Sequence, residues 1–249
     1  MSTIDHNFRK AANPPHSPSA SPRLCVKDDS SQKPSGRFIS FEGGEGCGKS
    51  THIRLLADHL RAEGIEVVTT REPGGTPLCE AIRGLLQFDA GGESPCPAAE
   101  TLLFCSSRAQ LVANVIRPAL DRGAWVLSDR FFDSTYAYQG YGRGYDIDAL
   151  KAIVEFAVAG VRPDLTFLLD AGLDAGMERL AARIAAGTQA DRFEREKDDF
   201  HRRVRDGFRT LAAAEPDRWC IIDSSLPTEE VSSKIWEIVA GQIPNRCPA

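Results

Sequence analysis

The eight residues Gly43-Gly44-Glu45-Gly46-Cys47-Gly48-Lys49-Ser50 constrain the fold more than any other segment, because they match the pattern G-x-x-x-x-G-K-[ST]. A loop of this kind aims backbone N–H groups at phosphate oxygens, and glycines supply the positive φ angles that this requires. The lysine brings a cation to the outer phosphates, and the hydroxyl after it suits Mg²⁺. The pattern also arises by chance, so its neighbours decide. Arg37-Phe38-Ile39-Ser40-Phe41-Glu42 before it reads as a strand, and after it Ile53, Leu56, Ala57 and Leu60 recur at helical spacing until Gly64. Strand, glycine loop and helix would set a bound anion on a helix N-terminus. A nucleoside triphosphate site running from Gly43 to Thr51 is the expectation.

From residue 37 onward strand-like and helix-like segments alternate. Further strands are expected at Ile65 to Thr70, Ala124 to Asp129, Leu165 to Asp170 and Trp219 to Asp223, each a short apolar run without alternation, as in strands buried on both faces. Helical stripes lie between them: Leu78, Ala81, Ile82, Leu85 and Leu86; Leu111, Val112, Val115 and Ile116; Met177, Leu180, Ala181 and Ile184; Phe200, Val204 and Phe208. This alternation implies an α/β domain over residues 37–243 with a five-stranded parallel sheet flanked by helices, its ligands bound beyond the carboxyl ends of the strands. The Gly140, Gly142, Gly144 series has the wrong spacing for a dinucleotide fingerprint and reads as a flexible turn after a site.

Composition narrows the classes. A net charge of −5 over 249 residues gives no sign of a nucleic-acid or membrane surface, and no apolar run approaches the ~20 residues that span a bilayer. Seven cysteines without CxxC spacing form neither a disulfide framework nor a zinc site, so reduced thiols in a cytoplasmic protein are expected. Residues 1–36 are rich in Ser and Pro and lack an apolar core, which excludes a secretory signal and suggests a disordered tail; Asp5, Asp28 and Asp29 oppose a transit peptide. Residues 244–249 are expected to form a short C-terminal tail.

Three clusters fall at strand ends. Thr70-Arg71-Glu72-Pro73-Gly74-Gly75-Thr76 sets a planar cation at the rim of the phosphate site. Ser128-Asp129-Arg130-Phe131 offers a carboxylate to hold Mg²⁺ through water, beside an arginine suited to a second phosphate. The basic stretch from Arg179 through Arg183 to Asp191-Arg192-Phe193-Glu194-Arg195, broken at Gly187-Thr188-Gln189, reads as a lid over about 183–195 whose arginines close on transferring phosphates.

With these blocks in order, the chain resembles the thymidylate kinase family, which phosphorylates dTMP with ATP. The resemblance spans residues 37 to about 243, and its most specific part is Asp129-Arg130-Phe131-Phe132-Asp133-Ser134-Thr135-Tyr136-Ala137-Tyr138-Gln139. It implies a P-loop nucleoside monophosphate kinase fold with a lid, and a homodimer with ATP and dTMP as substrates and Mg²⁺ as cofactor. It also implies site roles. Phe104 would stack on the thymine ring, Arg108 would bond the base edge, Thr135 would read the other edge, and Gln139 lies beside Tyr138, which would crowd the 2′ position. Arg130 with Arg71 would bind the dTMP phosphate, and Glu45 would lie near the 3′-hydroxyl. Some family members carry a catalytic arginine inside the phosphate loop. Glu45, Gly46 and Cys47 stand here instead, which moves that role to the lid, with Arg183 and Arg192 as candidates and Arg192 favoured for its Asp-Arg-Phe-Glu block.

The acceptor, a phosphate monoester with a second pKa of about 6, needs no general base, so the work falls to alignment and charge neutralisation by Lys49, Arg130, Arg192 and Glu45. His52 and His59 read as bystanders. Two rivals stay open: another P-loop nucleoside monophosphate kinase, and a GTP-binding switch, against which stands the lack of an Asn-Lys-x-Asp tetrapeptide.

Overall fold

A computed structural model describes residues 36–243. The tail expected over 1–36 lies outside the described residues except for its last position, and residues 244–249 lie outside them as well. The described chain forms strands β1 (Phe38–Glu42), β2 (Val67–Arg71), β3 (Trp125–Asp129), β4 (Leu165–Asp170) and β5 (Trp219–Asp223), all parallel in the order β2-β3-β1-β4-β5. All five residues of β1 are buried, and β3 and β4 are buried up to their last residue, because each has a strand on either side and helices on both faces. The edge strands depart from that expectation. No residue of β2 is fully buried, half-buried and exposed positions interrupt β5, and Ile221 is 53% exposed, because an edge strand has a neighbour on one side alone.

The helices follow as α1 (Lys49–Ala62), α2 (Pro77–Phe88), α3 (Pro97–Leu111), α4 (Arg117–Asp121), α5 (Phe132–Thr135), α6 (Ile147–Val158), α7 (Leu173–Ala185), α8 (Asp198–Ala214) and α9 (Thr228–Ala240). Alternate strand residues feed opposite faces. Ile39, Phe41 and Leu127 pack with Ile53, Leu56 and Leu60 of α1 and Val231 and Ile235 of α9. Phe38 and Val126 pack on the other face with Leu111, Ile116, Leu150 and Val154. A third cluster joins Leu168 and Trp219 to Phe200, Val204 and Phe208 of α8, and to Tyr138 and Phe193 near the carboxyl ends.

Two helical stripes differ from their sequence pattern. Thr76 caps α2 by accepting from the Cys79 amide, with Pro77 in the first turn. From that start the helix buries Cys79, Ile82 and Leu86 and leaves Leu78 exposed. In α7 only Leu180 of the expected stripe is buried, Met177 is half-buried, and Ala181 and Ile184 face outward.

Of the glycine series only Gly144, at φ 82°, lies in a loop; Gly140 and Gly142 are helical. Tyr136–Gly142 is a buried π-helical segment continuing α5, and a second such segment, Val112–Ile116, joins α3 to α4. The glycines make room for α8: a Cβ on Gly142 would lie 2.7 Å from Phe200, and one on Gly207 would lie 2.7 Å from Tyr141. Replacing Gly207 by Ala gains about 1 kcal/mol of helix propensity but drives its Cβ into the Tyr141 side chain, an overpacking cost of about 1–3 kcal/mol. Gly207→Ala is expected to lower the urea unfolding midpoint; a higher midpoint would show that Tyr141 yields freely.

Candidate active site

The phosphate loop joins the carboxyl end of β1 to α1, and two of its glycines are sterically required. Gly43 has φ 136° and a Cβ there would lie 2.4 Å from the Leu169 carbonyl oxygen; Gly46 has φ 69° and a Cβ would lie 2.2 Å from that of Gly176. Lys49 turns back over the loop, its Nζ donating to the carbonyls of Gly44 at 2.9 Å and Gly43 at 3.3 Å. Ser50 Oγ donates to Asp129 Oδ2 at 2.7 Å, so the hydroxyl opening α1 meets the carboxylate ending β3. Both are hard oxygen donors of the kind Mg²⁺ takes. Among the described residues no group of three or more His, Cys, Asp or Glu side chains gathers for a metal. The two oxygens are the residues that would hold such an ion.

Beyond Asp129 the chain turns through Arg130 at φ 70°, a left-handed conformation that costs a non-glycine residue on the order of 1 kcal/mol. The turn is held on both sides: the Arg130 amide donates to the Phe41 carbonyl at 2.9 Å, and Ser128 Oγ donates to the Arg130 carbonyl at 2.6 Å. Its guanidinium then reaches the loop. Nη1 donates to the Gly43 carbonyl at 2.9 Å, and Nη2 donates to Glu45 Oε1 at 2.7 Å and to the Tyr138 hydroxyl at 3.0 Å. That hydroxyl donates to the same Glu45 oxygen at 2.7 Å, and the guanidinium carbon lies 4.9 Å from the centre of the Tyr138 ring. Burial pushes the Glu45 carboxyl up, but Arg130, Lys49 and the Tyr138 hydroxyl outweigh it and bring it down to about 2.

A second buried carboxylate anchors the same turn. Glu42 accepts from the Phe131 amide at 2.8 Å and from Ser134 Oγ at 2.6 Å. Burial, with Asp133 nearby, pushes its carboxyl up to about 8 against the pull of Arg130 and its hydrogen bonds. Asp133 takes two bonds of 2.8 Å from the Arg218 guanidinium, which fixes α5 against the start of β5.

The loop opens into a cleft of about 690 Å³ that is also lined by Phe104, Arg108, Thr135, Tyr138 and Gln139. Arg108 is fully buried: Nε and Nη2 fork onto Glu72 at 2.9 and 2.7 Å, and Nη2 also reaches the Phe131 carbonyl. Phe104 packs on Phe193 with ring centres 5.6 Å apart. Thr135 Oγ1 is buried without a hydrogen-bond partner, a cost of about 1–3 kcal/mol unless a ligand satisfies it. Gln139 Nε2 donates to Glu100 at 2.8 Å. Arg71 lines the cleft near its rim, where its guanidinium bonds the Glu80 carboxylate.

The lid differs from expectation. Arg192 does not line the cleft: its guanidinium pairs with Glu100 at 2.8 Å, its Nε donates to the Leu86 carbonyl, and it lies over the Phe193 ring. Arg183, the other candidate, lines the cleft and pairs with Glu194. A buried carboxylate on α3 captures the one arginine and leaves the other lining the cleft. Sequence reasoning missed Arg83 in the cleft, named Arg179 only as the start of the lid's basic stretch, and set His52 aside as a bystander. Arg83 bonds the Pro73 carbonyl and Arg179 bonds the Ser224 carbonyl. His52 also lines the cleft, although burial and Arg179 push its pKa down. His59 does pack away, edge-on to Trp236. Arg83 and His52 stand one helical turn or two beyond the motifs that begin their helices, the one signal that could have found them.

The family model described as thymidylate kinase matches residues 41–235. A thymidylate kinase of Geobacter sulfurreducens is 47% identical over 213 residues, covering 85% of this chain and 100% of that protein. One from a Bradyrhizobium strain is 48% identical over 204 residues, covering 82% of this chain and 89% of its own. The crystal structure of thymidylate kinase from Ehrlichia chaffeensis superposes with a TM-score of 0.67 at 32% identity, covering 83% of this chain and all of that one.

The Glu42 environment has a consequence for stability. A carboxyl raised from 4.5 to about 8 on folding stabilises fully below its unfolded value and loses that contribution as pH climbs through the folded one. Between pH 5 and 8 the unfolding free energy of Glu42→Gln should therefore fall less than that of the unaltered chain, by more than about 1 kcal/mol. Parallel urea-unfolding profiles for the two proteins would contradict it.

Proposed function

The chain belongs to the thymidylate kinase family, and from that premise we propose how its residues divide the work of moving the γ-phosphoryl group of ATP to dTMP, giving dTDP on the way to dTTP. One cleft carries the reading: a phosphate loop at one end and, at the other, an aromatic face, a buried arginine and an unpartnered buried hydroxyl. We read these as a donor site and a base site within one cleft.

The loop amides and Lys49 hold the ATP phosphates, with Lys49 exchanging its carbonyl partners for phosphate oxygens. Ser50 and Asp129 would hold Mg²⁺, which would supply charge neutralisation to the triphosphate. Phe104 stacks on thymine, a contact worth about 1–3 kcal/mol, while Arg108 and Thr135 read the base. Tyr138 stands where a 2′-hydroxyl would need room, and its own hydroxyl is already bound to Glu45 and Arg130. Arg130, with Arg71, takes the acceptor phosphate, whose oxygen is a nucleophile without a base. Arg183 takes the lid role that sequence favoured for Arg192, because it lines the cleft and Arg192 is bound elsewhere. Closing the lid also keeps water from the γ-phosphate.

The chain works as a homodimer. Leu78 of α2, Leu102 of α3 and Phe156 of α6 are 53%, 56% and 87% exposed on helices that pack side by side, an apolar face of the kind that seeks a partner. The described cysteines are all free thiols, as a cytoplasmic enzyme keeps them, and no described helix is long and apolar enough to cross a membrane.

Initial rates with dTMP, dUMP, UMP, CMP and AMP separate this reading from another monophosphate kinase: dTMP should have the highest kcat/KM, and preference for AMP or CMP would sink the reading. For the lid, Arg183→Ala should cut kcat by about 10²-fold or more, in the range of lost transition-state charge partners. Arg192→Ala should cut it less; the reverse order would return the role to Arg192.

A further inference from the structure

Glu100 is 1% exposed on α3 and is the meeting point of three side chains. Its Oε1 accepts Gln139 Nε2 at 2.8 Å and Arg143 Nε at 3.4 Å, and its Oε2 faces Arg143 Nη2 at 3.3 Å and Arg192 Nη2 at 2.8 Å. A carboxylate between two guanidinium groups only accepts hydrogen bonds, so the end of the Gln139 amide against it must be the NH₂. Gln139 also lines the cleft, which leaves its carbonyl oxygen as the end offered to a ligand. An amide free to flip would offer a donor or an acceptor equally well. This one is locked as an acceptor.

We propose that Glu100 is a positioning residue that fixes the flip of the Gln139 amide, so that the base pocket demands a ring N–H and rejects a ring nitrogen lone pair. The proposal rests on the dTMP reading of the cleft and deepens it. Thymine and uracil carry a hydrogen on N3, whereas cytosine presents a lone pair there. A fixed carbonyl bonds the first two and repels the third, leaving both acceptors unpaired in a dry site. The selectivity for the base thus depends on a residue that does not touch it. Arg143 supports the arrangement: it bonds Glu196 at 2.6 Å and lies over the Phe200 ring, so the carboxylate is held from the side away from the cleft.

The test compares kcat/KM for dTMP, dUMP and dCMP in the full chain and in Glu100→Gln, with inhibition constants where turnover is too slow to measure. Glutamine at 100 both donates and accepts, so it tolerates either flip of Gln139. The dTMP-to-dCMP preference should fall tenfold or more, chiefly through KM for dTMP, while the dTMP-to-dUMP preference stays put because both bases carry the N3 hydrogen. A merely structural Glu100 would depress all three substrates together, and an unchanged dTMP-to-dCMP ratio would overturn the proposal. A second measurement does not depend on the variant folding. In the unaltered protein the Gln139 side-chain NH₂ resonances, assigned by their loss in Gln139→Met, should be protected from exchange before ligand is added. Saturation with dTMP should leave that protection unchanged. Protection that appears only with dTMP would mean that the amide donates to the base, which also overturns it. If the unaltered enzyme itself prefers dCMP, the dTMP reading fails first; if it prefers dTMP and only the variant result fails, Glu100 alone loses its role.

Discussion

The pairing of Arg130 with Glu45 holds the cleft together, because it ties a residue in a left-handed turn at the end of one strand to the phosphate loop at the end of the next. Neither segment would keep its shape alone. The loop is mostly glycine, and a left-handed arginine relaxes unless its backbone and side chain are both held. The 2.7 Å contact, the bond from the same guanidinium to the Gly43 carbonyl and the Tyr138 hydroxyl bridging to Glu45 lock donor and acceptor ends into one unit. Glu42 completes the clamp from beneath by taking the Phe131 amide and the Ser134 hydroxyl.

Four cations of the cleft have partners within the chain. Arg108 is forked on Glu72, Arg71 on Glu80, Arg183 on Glu194, and Lys49 on loop carbonyls. Burying an unpaired cation would cost several kcal/mol, and the Glu72 carboxylate offsets that cost for the buried Arg108. The arginines differ in freedom. Arg108, 1% exposed and bonded on two edges, is fixed in place; Arg71 and Arg183, each about half exposed, are free to change partners, which suits the division of roles proposed for them.

The sheet was legible because its strands are central and apolar, so burial on both faces wrote itself into Phe38-Ile39-Ser40-Phe41 and Leu165-Thr166-Phe167-Leu168. Much of the site was legible for a different reason: loops that bind phosphate depend on local backbone geometry, and that geometry demands its glycines in order. The partners of charged side chains were not legible. Nothing in Asp191-Arg192-Phe193 says that Glu100, some ninety positions earlier, would capture the arginine, since that depends on how the lid folds back on α3. The same holds for Arg83 and His52, whose helices had to be rotated into place before either faced the cleft. Gly140 and Gly142 misled for a third reason: they serve close packing, where sequence alone suggests freedom of φ.

The π-helical segment Tyr136–Gly142 bears on how this site tolerates changes of length. A π turn holds one more residue than an α turn of the same span, so each residue after it sits about 100° further round the axis than an α-helix would place it. Tyr138 and Gln139 lie inside that widened turn, and Thr135 immediately before it. Side-chain exchanges there would alter one contact at a time. Loss of a single residue would let the segment relax to an ordinary helix and rotate Tyr138 and Gln139 away from the cleft together, with the sheet and the phosphate loop untouched. Insertions and deletions in this stretch therefore act as an on–off change in the acceptor site, where elsewhere on the surface they would pass as loop variation.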